Sequence, residues 1–337
     1  MPQPYLPMFY LPFPEQTEHP LSDEVEAEAY AWARDRDLVD EAGYRRLVAS
    51  RVVTAGTGYY DRGAVEDMGI VARWYVWILL FDDYFDDAPL QGDLSEWERC
   101  TGEFVDDLAV VLDGRGTQAG ERHGPLFAAV AEDLWPRTAE RMPAAWRRRF
   151  ADHLRASVEA FRWQARVRHS ALPVPAIPEY VTYRRLSFGA PIFYDMIDMV
   201  DSLSLPEAFY ASRTWHDLMA TTTDAMAWTN DIFSLPKDLA DGECANLVLL
   251  VRAQSGGSWE ECVDEVNMMV SERLRHFLYA RADLPYQIRN LGLGYEALAQ
   301  AELLATRLGG AVRASLDLHL RSARWAAGDP APETASS

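Results

Sequence analysis

The sequence predicts an all-α protein built as one helical domain. Apolar residues recur at helical spacing along nearly the whole chain, and few segments alternate apolar and polar residues as half-buried strands do. Proline and glycine fall mostly in the gaps between the helical segments. Hydrophobic residues make up 49% of the 337 residues and charged residues 25%, which is typical of a folded chain with a large core.

The helices follow in chain order from this periodicity. The segment 62–84 is apolar almost all round before an acidic end (GIVARWYVWILLF), so we expect it to be buried at the centre. Stretches with glycine or proline at 114–116, 173–178, 189–191 and 256–257 mark helix ends. The predicted helices lie near 22–36, 40–51, 62–84, 93–113, 121–136, 140–167, 177–187, 190–201, 206–235, 243–255, 258–280, 285–307 and 309–326.

The two ends of the chain differ from the rest. Residues 1–20 are rich in proline and aromatic residues and are predicted to form an extended arm. Residues 328–337 (GDPAPETASS) are predicted to be a disordered tail. The helical domain therefore spans 21–327, because no interior stretch is long enough to act as a linker.

Charge and composition exclude several classes of function. The formal net charge is −20, which argues against nucleic acid because phosphate contacts need clustered Lys and Arg. An anionic small ligand stays open, since bound divalent cations can invert the local field. No stretch approaches about 18 uninterrupted apolar residues, so no membrane span is expected. The sequence leaves a homodimer open.

The cysteines and the first residues point to a reducing, cytoplasmic location. Cys100, Cys244 and Cys262 are odd in number and form no CxxC pair, so neither a disulfide framework nor a zinc site is indicated. The opening MPQPYLPMFYLPFPEQ has no positively charged start and is broken by prolines, so no signal peptide is expected.

An acidic cluster ends the predicted central helix. In ILLFDDYFDD, Asp82 and Asp86 lie one helical turn apart, as do Asp83 and Asp87. Four like charges beside apolar residues need compensation, and carboxylate oxygens are suited to magnesium. The alternative is a solvated helix end, which the helix dipole disfavours because acidic residues destabilise a C-terminus.

A second polar set lies far along the chain in WTNDIFSLPKD. Asn230, Ser234 and Asp238 are spaced i, i+4 and i+8, which spans an arc of about 80° on a helix. An amide, a hydroxyl and a carboxylate oxygen on one face form a set suited to magnesium. By itself this spacing is weak, since polar residues recur at this period on any amphipathic helix.

The two motifs together resemble those of bacterial class I terpene synthases. DDxxD followed by NDxxSxxxD, in that order and in a helical chain of this length, is similar to the pattern of that family. The opening FYLPFPEQTEHP and the stretch LADGECANLV also resemble it, so the resemblance runs from about residue 9 to 326. It implies an all-α bundle with a central apolar cavity.

The resemblance also implies metal ligands. In the family, three magnesium ions bridge both motifs to the diphosphate of a prenyl substrate. By resemblance, Asp82 and either Asp86 or Asp87 bind on one side, and Asn230, Ser234 and Asp238 bind on the other.

Basic residues should contact the diphosphate by the same resemblance. The family has a sensor arginine in a context like RRxxxGA, and the distance to 189–190 in YRRLSFGAP favours Arg185. For Arg184 we expect a surface ion pair. Lys237 resembles a further diphosphate ligand, and Arg324 and Trp325 (SARW) stand where the family has an Arg-Tyr pair.

The stretch Gly189-Ala190-Pro191 should break a helix, because proline disfavours helical geometry in the residue before it. In the family such a break presents an effector carbonyl, and Gly189 is the candidate here. The alternative is a simple turn between helices.

Three positions depart from the family. Asp238 replaces the usual glutamate and is shorter by about 1.5 Å, and we hypothesise that Pro236 kinks the helix to bring it into reach. Phe188 stands where some relatives carry an acidic linker to the sensor arginine. Trp325 replaces tyrosine, which loses a hydroxyl but keeps an indole N–H donor.

Aromatic faces are expected to line the cavity, where they can stabilise a carbocation by about 0.5–2 kcal/mol each. Tyr75 and Ile78 share the helix face of Asp82, so they are the best candidates. The other aromatic candidates, each of which could equally be core, are Trp74, Trp77, Phe81, Phe188, Phe193, Tyr194 and Trp228.

The implied activity is magnesium-dependent ionisation and cyclisation of a prenyl diphosphate, with farnesyl diphosphate favoured and geranylgeranyl diphosphate next. A chain-elongating prenyltransferase is a rival, but it would carry a second DDxxD in place of Asn230 and Ser234. An inactive helical binding protein is the other rival, because Asp238 and Trp325 depart from the pattern.

Overall fold

The computed structural model describes residues 5–87, 94–115, 120–168 and 172–321, with the side chains of 83–87, 94, 120 and 121 left aside. Within these ranges the chain folds into helices and contains no β-strand, so the all-α prediction is confirmed. No helix in the described ranges combines the length and the apolar character needed to cross a membrane.

Seventeen α-helices and one π-helical turn make up the described part of the chain. They are α1 (Ser22–Asp35), α2 (Glu41–Ser50), α3 (Val53–Thr57), α4 (Val65–Asp87), α5 (Leu94–Leu112), α6 (Gly120–His123), α7 (Pro125–Ala129), the π-helical turn (Val130–Leu134), α8 (Trp135–Arg141), α9 (Ala144–Arg168), α10 (Ile177–Ser187), α11 (Pro191–Val200), α12 (Glu207–Tyr210), α13 (Arg213–Asp241), α14 (Leu247–Ser255), α15 (Trp259–Ala282), α16 (Leu284–Asn290) and α17 (Tyr295–Arg321).

Helix α4 is central, as its apolar sequence predicted. Trp74, Trp77 and Phe81 are fully buried on it. The indole N–H of Trp74 donates to Thr138 Oγ1 at 2.9 Å, and that of Trp77 donates to the Leu126 carbonyl at 2.8 Å. Each buried indole therefore keeps a hydrogen-bond partner, which removes the cost of burying its polar atom.

Several predicted helix boundaries are wrong, and the predicted helix 121–136 is divided into α6, α7, the π-helical turn and the start of α8. The predicted break near 308 does not exist, because α17 runs unbroken through Gly309 and Gly310. These glycines serve close packing, since a Cβ on Gly309 would lie 2.7 Å from the Phe13 ring and one on Gly310 would lie 2.9 Å from Tyr59 Cβ. The chain turns earlier, at Gly292 with φ +70°. The short helix α3 was not predicted.

The predicted helix 206–235 is two helices. Helix α12 ends at Tyr210, and Ser212 then caps α13 by accepting a hydrogen bond from the Trp215 N–H at 3.2 Å. Such a cap satisfies an N–H that the first helical turn leaves without a partner. Helix α13 packs against α15 and α17, which places it along one wall of the bundle.

Residues 5–20, where an arm was predicted, lack regular helix and pack against α13 and α15. Phe9 stacks on Phe233 of α13 with ring centroids 5.5 Å apart. Phe13 is buried and meets Phe277 of α15 edge-on at 5.2 Å. The side-chain amide of Asn267 donates to the Met8 carbonyl at 2.9 Å. The predicted tail at 328–337 lies outside the described residues.

Candidate active site

A pocket enters the bundle between α4, α10, α13 and α17, and it has one polar and one apolar end. The apolar part is formed mainly by Tyr75, Ile78, Phe161, Phe193, Tyr194 and Met226. The polar part carries Asp82, Arg184, Asn230, Ser234, Lys237 and Asp238. The structure therefore brings residues of both predicted motifs to one cavity, although they lie about 150 positions apart in the sequence.

The second motif presents its three oxygen donors along α13. Asn230, Ser234 and Asp238 all line the pocket, and α13 continues through Pro236 to Asp241. Asp238 Oδ2 accepts hydrogen bonds from Ser234 Oγ at 2.6 Å and from Asn246 Nδ2 at 2.8 Å. The shorter aspartate side chain therefore lies beside its motif partners, held by a neighbouring asparagine.

Arg184 lies in the pocket, so the expected surface ion pair is wrong for this residue. Its side chain is 12% exposed, and Nη2 donates to Asn230 Oδ1 at 2.8 Å and to Asp231 Oδ1 at 3.0 Å. Burial disfavours the charged guanidinium, but Asp231, Asp238 and Asp82 outweigh it and raise the pKa of Arg184 above its ordinary value. A permanently charged donor thus stands beside the motif.

Arg185, the preferred candidate from sequence, points elsewhere. Its guanidinium makes two hydrogen bonds of 2.7 Å to the carboxylate of Asp224, which also pairs with Arg273 at 2.8 Å. Arg185 is not among the residues that line the pocket. Adjacent residues on a helix point about 100° apart, so spacing to 189–190 could not decide which arginine faces the cavity.

The first motif reaches the pocket through Asp82, which is half-buried and faces it from α4. Asp83, Asp86 and Asp87 belong to the last turns of α4, but their side chains lie outside the described part of the structure. The choice between Asp86 and Asp87 therefore stays open.

The residues present fit a hard divalent cation. Carboxylate, amide and hydroxyl oxygens of Asp82, Asn230, Ser234 and Asp238 converge on the polar end of the pocket. In the described ranges, which leave out the side chains of Asp83, Asp86 and Asp87, no three His, Cys, Asp or Glu side chains cluster as a metal site.

Comparison with known families decides the identity. The family model described as "Terpene synthase family 2, C-terminal metal binding" matches residues 73–276, which span both motifs. The chain belongs to this family. It is a class I terpene synthase.

Relatives of known activity agree with this family assignment, and solved structures agree with the fold. Pristinol synthase of Streptomyces pristinaespiralis is 29% identical over 289 residues, which cover 84% of this chain and 75% of that one. Pentalenene synthase of Streptomyces exfoliatus is 28% identical over 323 residues, covering 94% and 92%. Hedycaryol synthase in complex with nerolidol has a similar fold, with TM-score 0.77, 22% identity and coverage of 93% and 99%.

The helix break of this terpene synthase falls where the sequence predicted it. Helix α10 ends at Ser187 and α11 begins at Pro191, with Gly189 between them at φ +70°. A Cβ at this position would lie 3.0 Å from Ile78 Cγ1, so glycine suits both the backbone and the packing. Ser187, Phe188 and Ala190 line the pocket, whereas Gly189 is not among its lining residues.

The remaining predicted residues fall into three groups: those at the pocket, those in the core and those outside the described ranges. Lys237 is exposed at the polar mouth of the pocket. Arg324 and Trp325 lie outside the described residues. Of the predicted cavity aromatics, Tyr75, Phe188, Phe193 and Tyr194 line the pocket together with Ile78. The others, Trp74, Trp77, Phe81 and Trp228, are buried in the core and are not among the lining residues.

Asp231 of the synthase was missed as a site residue, although it belongs to the second motif. It is buried and accepts hydrogen bonds from the Tyr180 hydroxyl, from Arg184 at 3.0 Å and from the Leu247 N–H at 3.0 Å. Burial raises its pKa in spite of these partners. Asp231 therefore holds Arg184 in position. Its place next to Asn230 in the sequence could have identified it as a site residue.

Asn246 was also missed, and it connects the end of α13 to α14. Its Nδ2 donates to Asp238 Oδ2 and to the Asp231 carbonyl, both at 2.8 Å, while its Oδ1 caps α14 by accepting from the Val248 N–H at 2.8 Å. An asparagine before the apolar run LVLLV is a helix-start signal, but its contact with Asp238 needed the structure.

A buried ion pair closes another side of the pocket. Arg168 Nε donates to Glu243 Oε2 at 2.8 Å, and both residues line the cavity. Burial favours the protonated form of Glu243, but Arg168 and the N–H groups of Cys244 and Ala245 outweigh it and lower its pKa. No sequence pattern pairs residues so far apart.

Proposed function

We propose that this terpene synthase binds farnesyl diphosphate with magnesium, ionises it and cyclises the farnesyl cation with release of diphosphate. The observation that carries this proposal is the two-ended pocket, with metal-ligand oxygens and a buried arginine at one end and aromatic side chains at the other. A related protein of Roseiflexus castenholzii, 26% identical over 269 residues, is named a T-muurolol synthase that cyclises (2E,6E)-farnesyl diphosphate.

Asp82, Asn230, Ser234 and Asp238 would hold the metal at the polar end, with Asp83 and one of Asp86 or Asp87 added from α4. When bound, magnesium supplies Lewis acidity that stabilises the charge on the departing diphosphate. We expect three ions, as the family resemblance implies.

Arg184 is the protein's own donor to the diphosphate in this proposal. Its guanidinium is charged and buried, and it is held in place by Asp231, so little reorganisation is needed when an anion arrives. Planar guanidinium groups suit phosphate oxygens because they can donate two parallel hydrogen bonds. Lys237 at the mouth, Arg324 and Trp325 complete the proposed set. Gly189 shapes the helix break, and its assignment as the effector stays a prediction.

The apolar end is suited to a carbocation. Tyr75, Phe193 and Tyr194 present aromatic rings to the cavity, and cation–π attraction to each ring contributes about 0.5–2 kcal/mol. Burial raises the pKa of Tyr194, so its phenol stays neutral and does not supply a phenolate to trap the cation. Apolar walls also limit premature quenching of the cation by water.

The test is incubation of the full-length protein with geranyl, farnesyl or geranylgeranyl diphosphate in separate reactions, followed by gas chromatography–mass spectrometry of the extract. We expect a cyclic product from farnesyl diphosphate that disappears when a chelator removes magnesium and returns when magnesium is restored. A requirement for isopentenyl diphosphate would indicate a chain-elongating enzyme. The absence of turnover with all three substrates would indicate a binding protein.

A further inference from the structure

At the inner part of the pocket, the backbone of one glycine lies directly against an aromatic ring. Gly56 is in α3 and Tyr75 is in α4, and both line the cavity. A Cβ atom added to Gly56 would lie only 2.3 Å from Cδ2 of Tyr75 and 2.8 Å from its Cγ and Cε2. No side chain larger than hydrogen fits at position 56 while the ring keeps this place.

The Tyr75 ring also contacts a second aromatic ring. Phe193 of α11 lies with its ring centroid 5.1 Å from that of Tyr75, at an interplanar angle of 54°. Tyr75 therefore packs against both a glycine backbone and an aromatic ring. It is only half-buried, unlike its neighbours Trp74 and Val76 on the same helix.

The position of Tyr75 along α4 sets how far its ring lies from the polar end of the cavity. Tyr75 comes seven residues before Asp82, so it shares the face of Asp82 about 10.5 Å further along the helix axis. Beside it, Ala55 of α3 and Val52, the residue before α3, contribute side chains to the wall. Tyr75 and Tyr59, which follows α3, are thus the bulky groups at the α3 end of the cavity.

We propose that the Gly56–Tyr75 contact determines substrate chain length. The ring, pressed inward by the α3 backbone, leaves room for a fifteen-carbon chain and fills space that the five further carbons of a twenty-carbon chain would need. This inference rests on the proposed function, because it assigns the residues that select among prenyl diphosphates at the same site.

The experiment compares Tyr75→Leu and Tyr75→Ala with the unaltered protein, using farnesyl and geranylgeranyl diphosphates separately. The ratio of kcat/KM for geranylgeranyl over farnesyl diphosphate should rise at least about tenfold, since even one methylene in an apolar pocket changes selectivity by about this factor. Gly56→Ala should push the ring into the cavity, lower the same ratio and change the product distribution from farnesyl diphosphate.

Two control variants separate this role from general damage. Gly69→Ala is a matched control for Gly56→Ala, because Gly69 is a helical glycine of α4 whose added Cβ would meet nothing within 4 Å. Tyr75→Phe keeps the ring and should keep the selectivity. Thermal unfolding of every variant identifies any that fail to fold. If Tyr75→Ala does not fold, the comparison rests on Tyr75→Leu.

The outcomes distinguish the two proposals. If the unaltered protein turns over no prenyl diphosphate, the proposed function fails. If it converts farnesyl diphosphate but the folded Tyr75→Leu variant keeps the original selectivity, the chain-length assignment is overturned and the proposed function stands.

Discussion

Arg184 donates a 2.8 Å hydrogen bond from Nη2 to Oδ1 of Asn230. The oxygen that would bind a metal and the guanidinium that would bind diphosphate are therefore partners in the ligand-free protein. Because a metal ion would compete with Arg184 for this oxygen, while Asp231 keeps the guanidinium in place, we expect metal binding and diphosphate binding to depend on each other.

The first prediction concerns the two adjacent arginines. Arg184→Gln should lower kcat/KM for farnesyl diphosphate by at least about 100-fold, because removal of one preorganised donor at a developing charge has effects of this size. Inhibition by added inorganic pyrophosphate should weaken in parallel. Arg185→Gln should affect both quantities much less, since Arg185 pairs with Asp224 away from the pocket lining.

Steady-state kinetics with magnesium held at saturation measure both variants. A larger catalytic loss in Arg185→Gln than in Arg184→Gln would contradict the assignment. Thermal unfolding serves as the control, because loss of Arg184 also leaves Asp231 without one of its partners.

The second prediction separates the two hydrogen-bonding functions of Asn246. Asn246→Ser and Asn246→Ala both remove the amide that donates to Asp238 at 2.8 Å, so magnesium affinity or turnover should fall by about 10–100-fold in both. Serine can still cap α14, so Asn246→Ala should lose about 1 kcal/mol more free energy of unfolding than Asn246→Ser.

Magnesium titrations of diphosphate release and urea unfolding measure the two effects. If both variants need the same magnesium concentration as the unaltered protein, Asn246 does not position Asp238. Equal stability of the two variants would show that the α14 cap contributes little.

The third prediction concerns the N-terminal arm. Phe9 stacks on Phe233 at 5.5 Å, and Phe233 stacks in turn on His319 of the pocket at 5.1 Å. Phe233 lies between Asn230 and Ser234 on α13, so we expect Phe9→Ala to loosen the second motif. It should cost at least about 0.5–1.5 kcal/mol of stability and lower kcat.

Met8→Ala is the matched control, because the Met8 side chain is 93% exposed and its carbonyl contact is kept. Urea unfolding and turnover of farnesyl diphosphate give the comparison. Equal values for Phe9→Ala and Met8→Ala would mean that the arm does not support the site.

The fourth prediction is a pH dependence of stability from a buried cluster outside the pocket. Burial raises the pKa of Asp198 to about 7, although Arg149 and Tyr210 both bond to it. His153 pairs with Asp195 at 2.7 Å, and Asp195 outweighs the opposing effect of burial to raise the pKa of His153.

The direction in which stability changes with pH follows from the number of protons that the folded and unfolded states bind. Between pH about 4 and 7 the folded protein keeps a proton on Asp198 that the unfolded chain has released, so stability falls as pH rises through this window. The slope is at most about 1.4 kcal/mol per pH unit. His153 acts in the same direction above its ordinary pKa.

Asp198→Asn should therefore gain stability relative to the unaltered protein as pH rises from 5 to 8, which thermal unfolding at several pH values measures. Glu159→Gln is the control, since that carboxylate is 51% exposed on the neighbouring α9. A difference that stays constant with pH for Asp198→Asn would contradict the predicted titration.

Much of this architecture was predictable because it depends on local periodicity. The apolar run before Asp82 identified α4 as central, and the Gly189-Ala190-Pro191 stretch identified the break before α11. The continuous course of α17 was not predictable, because Gly309 and Gly310 weaken a helix locally and are accommodated only by their packing on Phe13 and Tyr59.

By itself the sequence determined the family, the fold class and the two motifs, since these depend on residue types at fixed spacing. Only the tertiary structure decided which side chains share the pocket. Arg184 and Arg185 are neighbours with the same chemistry, and the 100° turn between them sends one to Asn230 and the other to Asp224. Asn246 and Tyr75 gained their roles in the same way, from contacts between helices that no spacing in the chain encodes.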